Sequence, residues 1–125
     1  MIYCKTFDRD DYNKLPEHVH IQSIHDLLAS RDAPARYEHP HRLWEYSIVL
    51  NALRVNNTKS IIDVGGGGSV FAPATAWVDI AVSQIDPGDC SAWVNAQSAV
   101  INRPLPYIQI DFMNYYDSVH YDAVT

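Results

Sequence analysis

The first half of the chain repeats apolar residues at helical spacing, and the second half replaces that rhythm with short β-branched runs. Ile21, Ile24, Leu27 and Leu28 recur on one face, and Pro16 suits a first helical position, so a helix is predicted over residues 16 to 30. Leu43, Tyr46, Leu50 and Leu53 form a second stripe, widened by Trp44 and Ile48, which predicts a helix from Pro40 to Val55. Asn56-Asn57-Thr58 breaks that pattern. Lys59 to Val64 then reads as a strand covered on both faces, because its apolar character is nearly continuous.

After this strand the punctuation is dense. Ser69 to Trp77 has room for a short helix only, and Asp79 to Ile85 reads as a second strand through Ile80, Val82 and Ile85. Pro87-Gly88 marks a turn, and Asp89 or Ser91 is placed to cap a helix running to about Ile101. Pro104-Leu105-Pro106 leads into a third strand, Tyr107 to Ile110, and Tyr121 to Thr125 reads as a fourth. Strands alternating with helices predict a parallel α/β sheet of about four strands, preceded by two amino-terminal helices that pack outside it or act as a lid. Residues 1 to 58 are read as the helical segment and residues 59 to 125 as the sheet-bearing unit of one compact domain.

The run Ser60-Ile61-Ile62-Asp63-Val64-Gly65-Gly66-Gly67-Gly68-Ser69 carries the strongest chemical signal. Four successive glycines after a buried strand imply a turn that bends tightly and lets something approach its backbone closely. In parallel α/β sheets that something is usually a nucleotide-like cofactor over the carboxyl ends of the strands. Three carboxylates fall at those ends: Asp63, Asp86 and Asp111. Asp86 lies about 20 residues beyond the glycines, the spacing at which a carboxylate accepts hydrogen bonds from ribose hydroxyls. A turn ahead of Pro87-Gly88 is the competing role for Asp86, and a helix N-cap is the competing role for Asp111. Asp63 is expected either beside a cation or solvated at a pocket mouth.

In this combination the chain resembles the class I S-adenosylmethionine-dependent methyltransferases, which have a Rossmann-like fold. The resemblance runs through Ile61-Ile62-Asp63-Val64-Gly65-Gly66-Gly67-Gly68-Ser69, Gln84-Ile85-Asp86, Ile110-Asp111-Phe112 and Tyr121-Asp122-Ala123-Val124. It covers roughly residues 40 to 125. It implies S-adenosylmethionine as cofactor and S-adenosylhomocysteine as product, held by Asp63, the four glycines, Asp86 with its neighbour Pro87, and Asp111 with its neighbour Phe112. It also implies that residues 38 to 46 close over the cofactor, with Arg42 or Glu45 reaching its methionine end. Ser69 departs from the family by standing where a third glycine is common. Pro73 departs from it inside the first crossover helix.

The family's sheet has seven strands, so the sequence is read as its cofactor-binding half, truncated, without the acceptor-substrate pocket and with no assignable catalytic residue. An unfinished sheet edge predicts self-association, as a homodimer or larger assembly. Two alternatives stand beside this reading. One is an NAD-binding Rossmann protein, although Gly-x-Gly-x-x-Gly fails at Val70 or Phe71; the other is an inert interaction module.

Composition trims the remaining options. At 125 residues, with 47% hydrophobic and 19% charged residues, the chain fits one globular domain. A net charge of −6 argues against nucleic acid as a partner. No run approaches the ~20 apolar residues of a membrane span, and Met1 to Phe7 lacks a signal-peptide core, so a cytoplasmic protein is expected. Cys4 and Cys90 are expected to be reduced thiols. The histidines His18, His20, His25, His39 and His41 lack the spacing of a metal site, so no metal is expected. Trp77 and Trp93 are expected in the core or between helices rather than as stacking platforms.

Overall fold

The computed structural model describes residues 15–36, 40–115 and 121–125. Within them the chain forms α1 (Pro16–Ser30), α2 (Pro40–Val55), β1 (Ser60–Val64), α3 (Phe71–Trp77), β2 (Ala81–Asp86), α4 (Ser91–Ile101), β3 (Tyr107–Gln109), a 3-10 turn (Phe112–Asn114) and β4 (Ala123–Val124). The strands build one sheet in the order β3-β2-β1-β4, and every pairing is parallel. This is the α/β fold expected from the sequence, a Rossmann-like sheet of four strands flanked by helices.

Local chemistry explains the element ends. Pro16 opens α1, where its missing N–H has no intrahelical partner to lose. The α1 end is closed by Ala33 N–H donating to the Leu28 carbonyl at 2.9 Å, with Asp32 in the left-handed region at φ +57°. Asn57 and Asn102, both at φ +53°, end α2 and α4 in the same backbone region. Pro73 is the third residue of α3, and the first helical bond there comes from Ala74 N–H to Val70 O at 3.1 Å. The proline therefore removes no bond, and the crossover helix survives with seven residues.

Both crossovers, β1-α3-β2 and β2-α4-β3, step the same way across the sheet, so the usual right-handed sense puts α3 and α4 on one face. One apolar cluster joins Ile61 and Val82 from that face to Ile21, Leu28, Leu50, Phe71 and Val94 of the four helices. Burying such side chains contributes roughly 1.5–3 kcal/mol each. The amino-terminal helices thus share a core with the sheet. Ile62 and Ile85 alternate to the opposite face and are also buried, at 4% and 1% exposure, as the continuous apolar reading of β1 requires.

Two details differ from the sequence reading. Neither Asp89 nor Ser91 caps α4; Cys90 occupies the N-cap position without a side-chain cap, and the Asp89 carboxylate accepts from Ser91 N–H and Oγ instead. Trp77 and Trp93 are not core residues. They are 39% and 43% exposed, Trp77 beneath the Arg103 guanidinium at 4.8 Å and Trp93 against the glycine loop.

Among the described residues no helix is long and apolar enough to cross a membrane.

Candidate functional site

The carboxyl edge of the sheet gathers the chemistry. After Val64 the chain turns at Gly65, whose N–H donates to the Ile85 carbonyl at 2.8 Å and whose φ is +76°. Ser69 N–H closes the turn onto Gly66 O at 3.0 Å, and Gly68 again adopts a positive φ, +84°. Gly68 O is held from two sides, by Gln97 Nε2 at 3.1 Å and by Arg36 N–H at 2.8 Å. The loop is therefore fastened to α4 and to the segment that follows α1.

The need for bare backbone differs along the run. A Cβ on Gly65 would meet nothing within 4 Å, so only its positive φ demands glycine, and its outer side is open. A Cβ on Gly66 would lie 2.0 Å from Asp63 Oδ2, and one on Gly67 would lie 2.8 Å from Cys90 Cβ and 3.2 Å from the Tyr107 ring. Much of the close approach inferred from the sequence is thus made by the protein's own side chains.

Asp63 is 6% exposed and accepts from Thr125 Oγ1 at 3.2 Å. The expected alternative of a solvated carboxylate at a pocket mouth is overturned, because the loop folds over it at Gly66. Asp86 is equally buried, at 6% exposure. Its Oδ1 accepts from Gly88 N–H at 2.8 Å, and its Oδ2 accepts from Gly67 N–H at 3.2 Å. The first bond is the turn role weighed for this residue. The second reaches across to the glycine loop. A carboxylate offers about four acceptor positions, so two remain beyond these bonds.

Pro87 follows at the surface. Ile110 N–H donates to Asp86 O at 3.0 Å, which brings Asp111 and Phe112 to the same edge. Asp111 is exposed and caps the 3-10 turn, its Oδ1 accepting from Met113 N–H at 3.0 Å. Phe112 is 50% exposed beside it. Arg42 and Glu45 bond to each other at 2.9 Å on the exposed start of α2. Residues 37 to 39, Cys4 and His39 lie outside the described residues.

Several contributors were not singled out from the sequence. Tyr107 donates its hydroxyl proton to Gly88 O and accepts from Cys90 N–H at 3.0 Å. Gln84 pairs with Asp63 on one side and Tyr107 on the other, so Asp63, Gln84 and Tyr107 share a row across the sheet beneath the loop. The legible signal was Gln84 itself, a polar residue at a core register. Burial pushes the Tyr107 phenol above its ordinary value, and the nearby Cys90 thiol and Asp86 carboxylate also raise it.

A cavity of about 400 Å³ lies elsewhere, between α2 and β4, lined by Trp44, Ile48, Leu53, Ala123, Val124 and Thr125. It touches the site only through Thr125. His20 Nε2 bonds to the Ala74 carbonyl at 2.8 Å, tying α1 to α3, and the described residues hold no group of three or more side chains placed to ligate a metal. Cys90 is a free, buried thiol.

No family model matches the chain, and no curated protein matches it.

Proposed function

We propose that the chain is an S-adenosylmethionine-binding domain of methyltransferase type. The observation that carries this is Asp86: a buried carboxylate at the end of β2, bonded to the glycine loop after β1 and retaining acceptor capacity for two vicinal hydroxyls. In the all-parallel sheet β3-β2-β1-β4 the strand order, not the strand direction, reverses at β1, and the loop leaves β1 beside β4 at that switch point, where such sheets bind ligands.

In this reading Asp86 accepts from the ribose, with Pro87 beside it. Asp111 and Phe112 flank the adenine, and Gly65 to Gly68 present backbone to the rest of the cofactor. Asp63 supports the loop from below. The sulfonium supplies an already activated methyl group, so the protein's task is to hold it in line with an acceptor, a contribution of several kcal/mol. Loss of that methyl group to the acceptor leaves S-adenosylhomocysteine as the product. A cytoplasmic setting fits the free Cys90 thiol. Self-association fits the two edge strands, where Val124 is 66% exposed on β4 and Ile108 is 49% exposed on β3.

Calorimetric titration with S-adenosylmethionine, S-adenosylhomocysteine and NAD tests the proposal, repeated on Asp86→Asn. Binding of the first two, lost in the variant, is the expected result. Preference for NAD assigns the loop to a dinucleotide, and no binding of any of the three overturns the cofactor reading. Light scattering that finds a monomer at all concentrations removes the self-association.

A further inference from the structure

Two loops meet at this edge, and one side chain from the third strand touches both. The ring of Tyr107 lies against Gly67, where a Cβ would come within 3.2 Å of Cε2. Its hydroxyl donates to Gly88 O and accepts from Cys90 N–H at 3.0 Å. Gly67 N–H and Gly88 N–H are the two donors that hold Asp86, at 3.2 Å and 2.8 Å. Asp86, Gly67, Tyr107 and Gly88 therefore form a closed circuit of contacts.

We infer that Tyr107 is a positioning residue, whose hydroxyl holds the turn after β2 so that Asp86 and the glycine loop keep a fixed relation for ligand binding. The ligand it serves rests on the reading of Asp86 as the ribose carboxylate. The positioning role stands on the circuit alone. Packing at Gly67 is carried by the ring, while the turn is carried by the hydroxyl. The N-cap of α4 offers no side-chain acceptor of its own, since Cys90 caps without one, and the phenol satisfies the Cys90 N–H that would otherwise lack a partner. Cys90 O in turn accepts from Val94 N–H at 3.0 Å, so the start of α4 is fixed through the same contact. A phenol is protonated at neutral pH even at its ordinary value of 10.0, and burial raises that value here, so the O–H remains a donor to Gly88 O throughout the neutral range.

Tyr107→Phe in the full chain isolates the hydroxyl, and Tyr107→Leu removes the ring as well. Amide hydrogen exchange followed by NMR reads the local effect, with Gly67, Gly88 and Cys90 compared against Val82 in the sheet interior. The phenylalanine variant is expected to exchange about ten-fold faster at Gly88 and Cys90, with Val82 unchanged, and the leucine variant to extend the increase to Gly67. S-adenosylhomocysteine affinity is expected to fall about ten-fold in the phenylalanine variant, which still folds cooperatively with a thermal midpoint only a few degrees below the wild type for the two lost bonds. Uniform acceleration across the sheet, no acceleration at Gly88 and Cys90, or failure of the phenylalanine variant to fold each overturns the inference. If the wild-type chain binds no S-adenosyl ligand, the proposed function fails, and the exchange pattern still decides the role of Tyr107.

Discussion

The carboxylate of Asp86 accepts from the backbone N–H of Gly67 across 3.2 Å, and the two residues belong to different strand-end loops. With Gly88 N–H on its other oxygen at 2.8 Å, Asp86 satisfies two backbone donors at 6% exposure. Asp86→Ala leaves both donors without their acceptor, and bonds to charged groups contribute about 1.5–3 kcal/mol each. A loss of at least about 1.5 kcal/mol in urea unfolding is expected, and Asp86→Asn should lose less because it keeps one acceptor. A change within 0.5 kcal/mol for Asp86→Ala, the scatter of an ordinary surface substitution, would show that the bonds carry no weight.

Gly65 and Gly66 look interchangeable in the sequence and are not in the fold. Alanine at Gly65 meets no neighbour but adopts φ +76°, which costs an L-residue roughly 1–2 kcal/mol. At Gly66 the added carbon falls 2.0 Å from Asp63 Oδ2 and must displace a carboxylate that Thr125 Oγ1 holds at 3.2 Å. Overpacking of that kind costs about 1–3 kcal/mol. Combining Gly66→Ala with Asp63→Ala should recover part of the loss, with a coupling of about 0.5 kcal/mol or more in a double-mutant cycle. Simple additivity of the two would remove the steric explanation.

These contrasts mark the boundary of what the sequence discloses. The helices over Pro16–Ser30 and Pro40–Val55 were legible because apolar spacing and proline at the first position both act locally. The strands were legible through β-branched runs, although β3 and β4 pair over fewer residues than the runs suggest. Asp63, the glycines and Asp86 converge as strand ends of a parallel sheet must. What stayed hidden is sideways contact. Whether Asp63 faces water or Gly66, and whether Tyr107 reaches Gly88, depends on register between strands and not on spacing along one.

Acid should weaken the fold partly through His18. Burial lowers its value below the ordinary 6.5, so the folded protein favours the neutral imidazole. The unfolded chain then binds more protons between the two values, and stability present above pH 6.5 is lost as pH falls through the folded value. Thermal midpoints of wild type and His18→Gln are expected to run parallel above that pH and to converge or cross below it, the wild type falling faster. Identical slopes on the acid side would exclude His18 as a contributor.

Gln84 offers the sharpest test of cost against use. It is 1% exposed, and neither its amide oxygen nor its amide nitrogen finds a hydrogen-bond partner among the described residues. Mutational data put the penalty of an unpaired buried amide at about 1–3 kcal/mol. Leucine has a similar reach without the polar ends, so Gln84→Leu should stabilise the domain by about 1 kcal/mol or more, a rise of about 3–5 °C in Tm at this chain length. Gln84→Glu should do the reverse, since it places a second carboxyl in the buried row, directly beside Asp63 and two residues before Asp86, and ionising a buried carboxyl is costly. Differential scanning calorimetry on the three chains decides the matter. A lowered Tm for the leucine variant would mean that the amide is satisfied by a polar group and earns its place in the fold, whereas a raised Tm with weaker S-adenosylhomocysteine binding would move Gln84 from the core into the site.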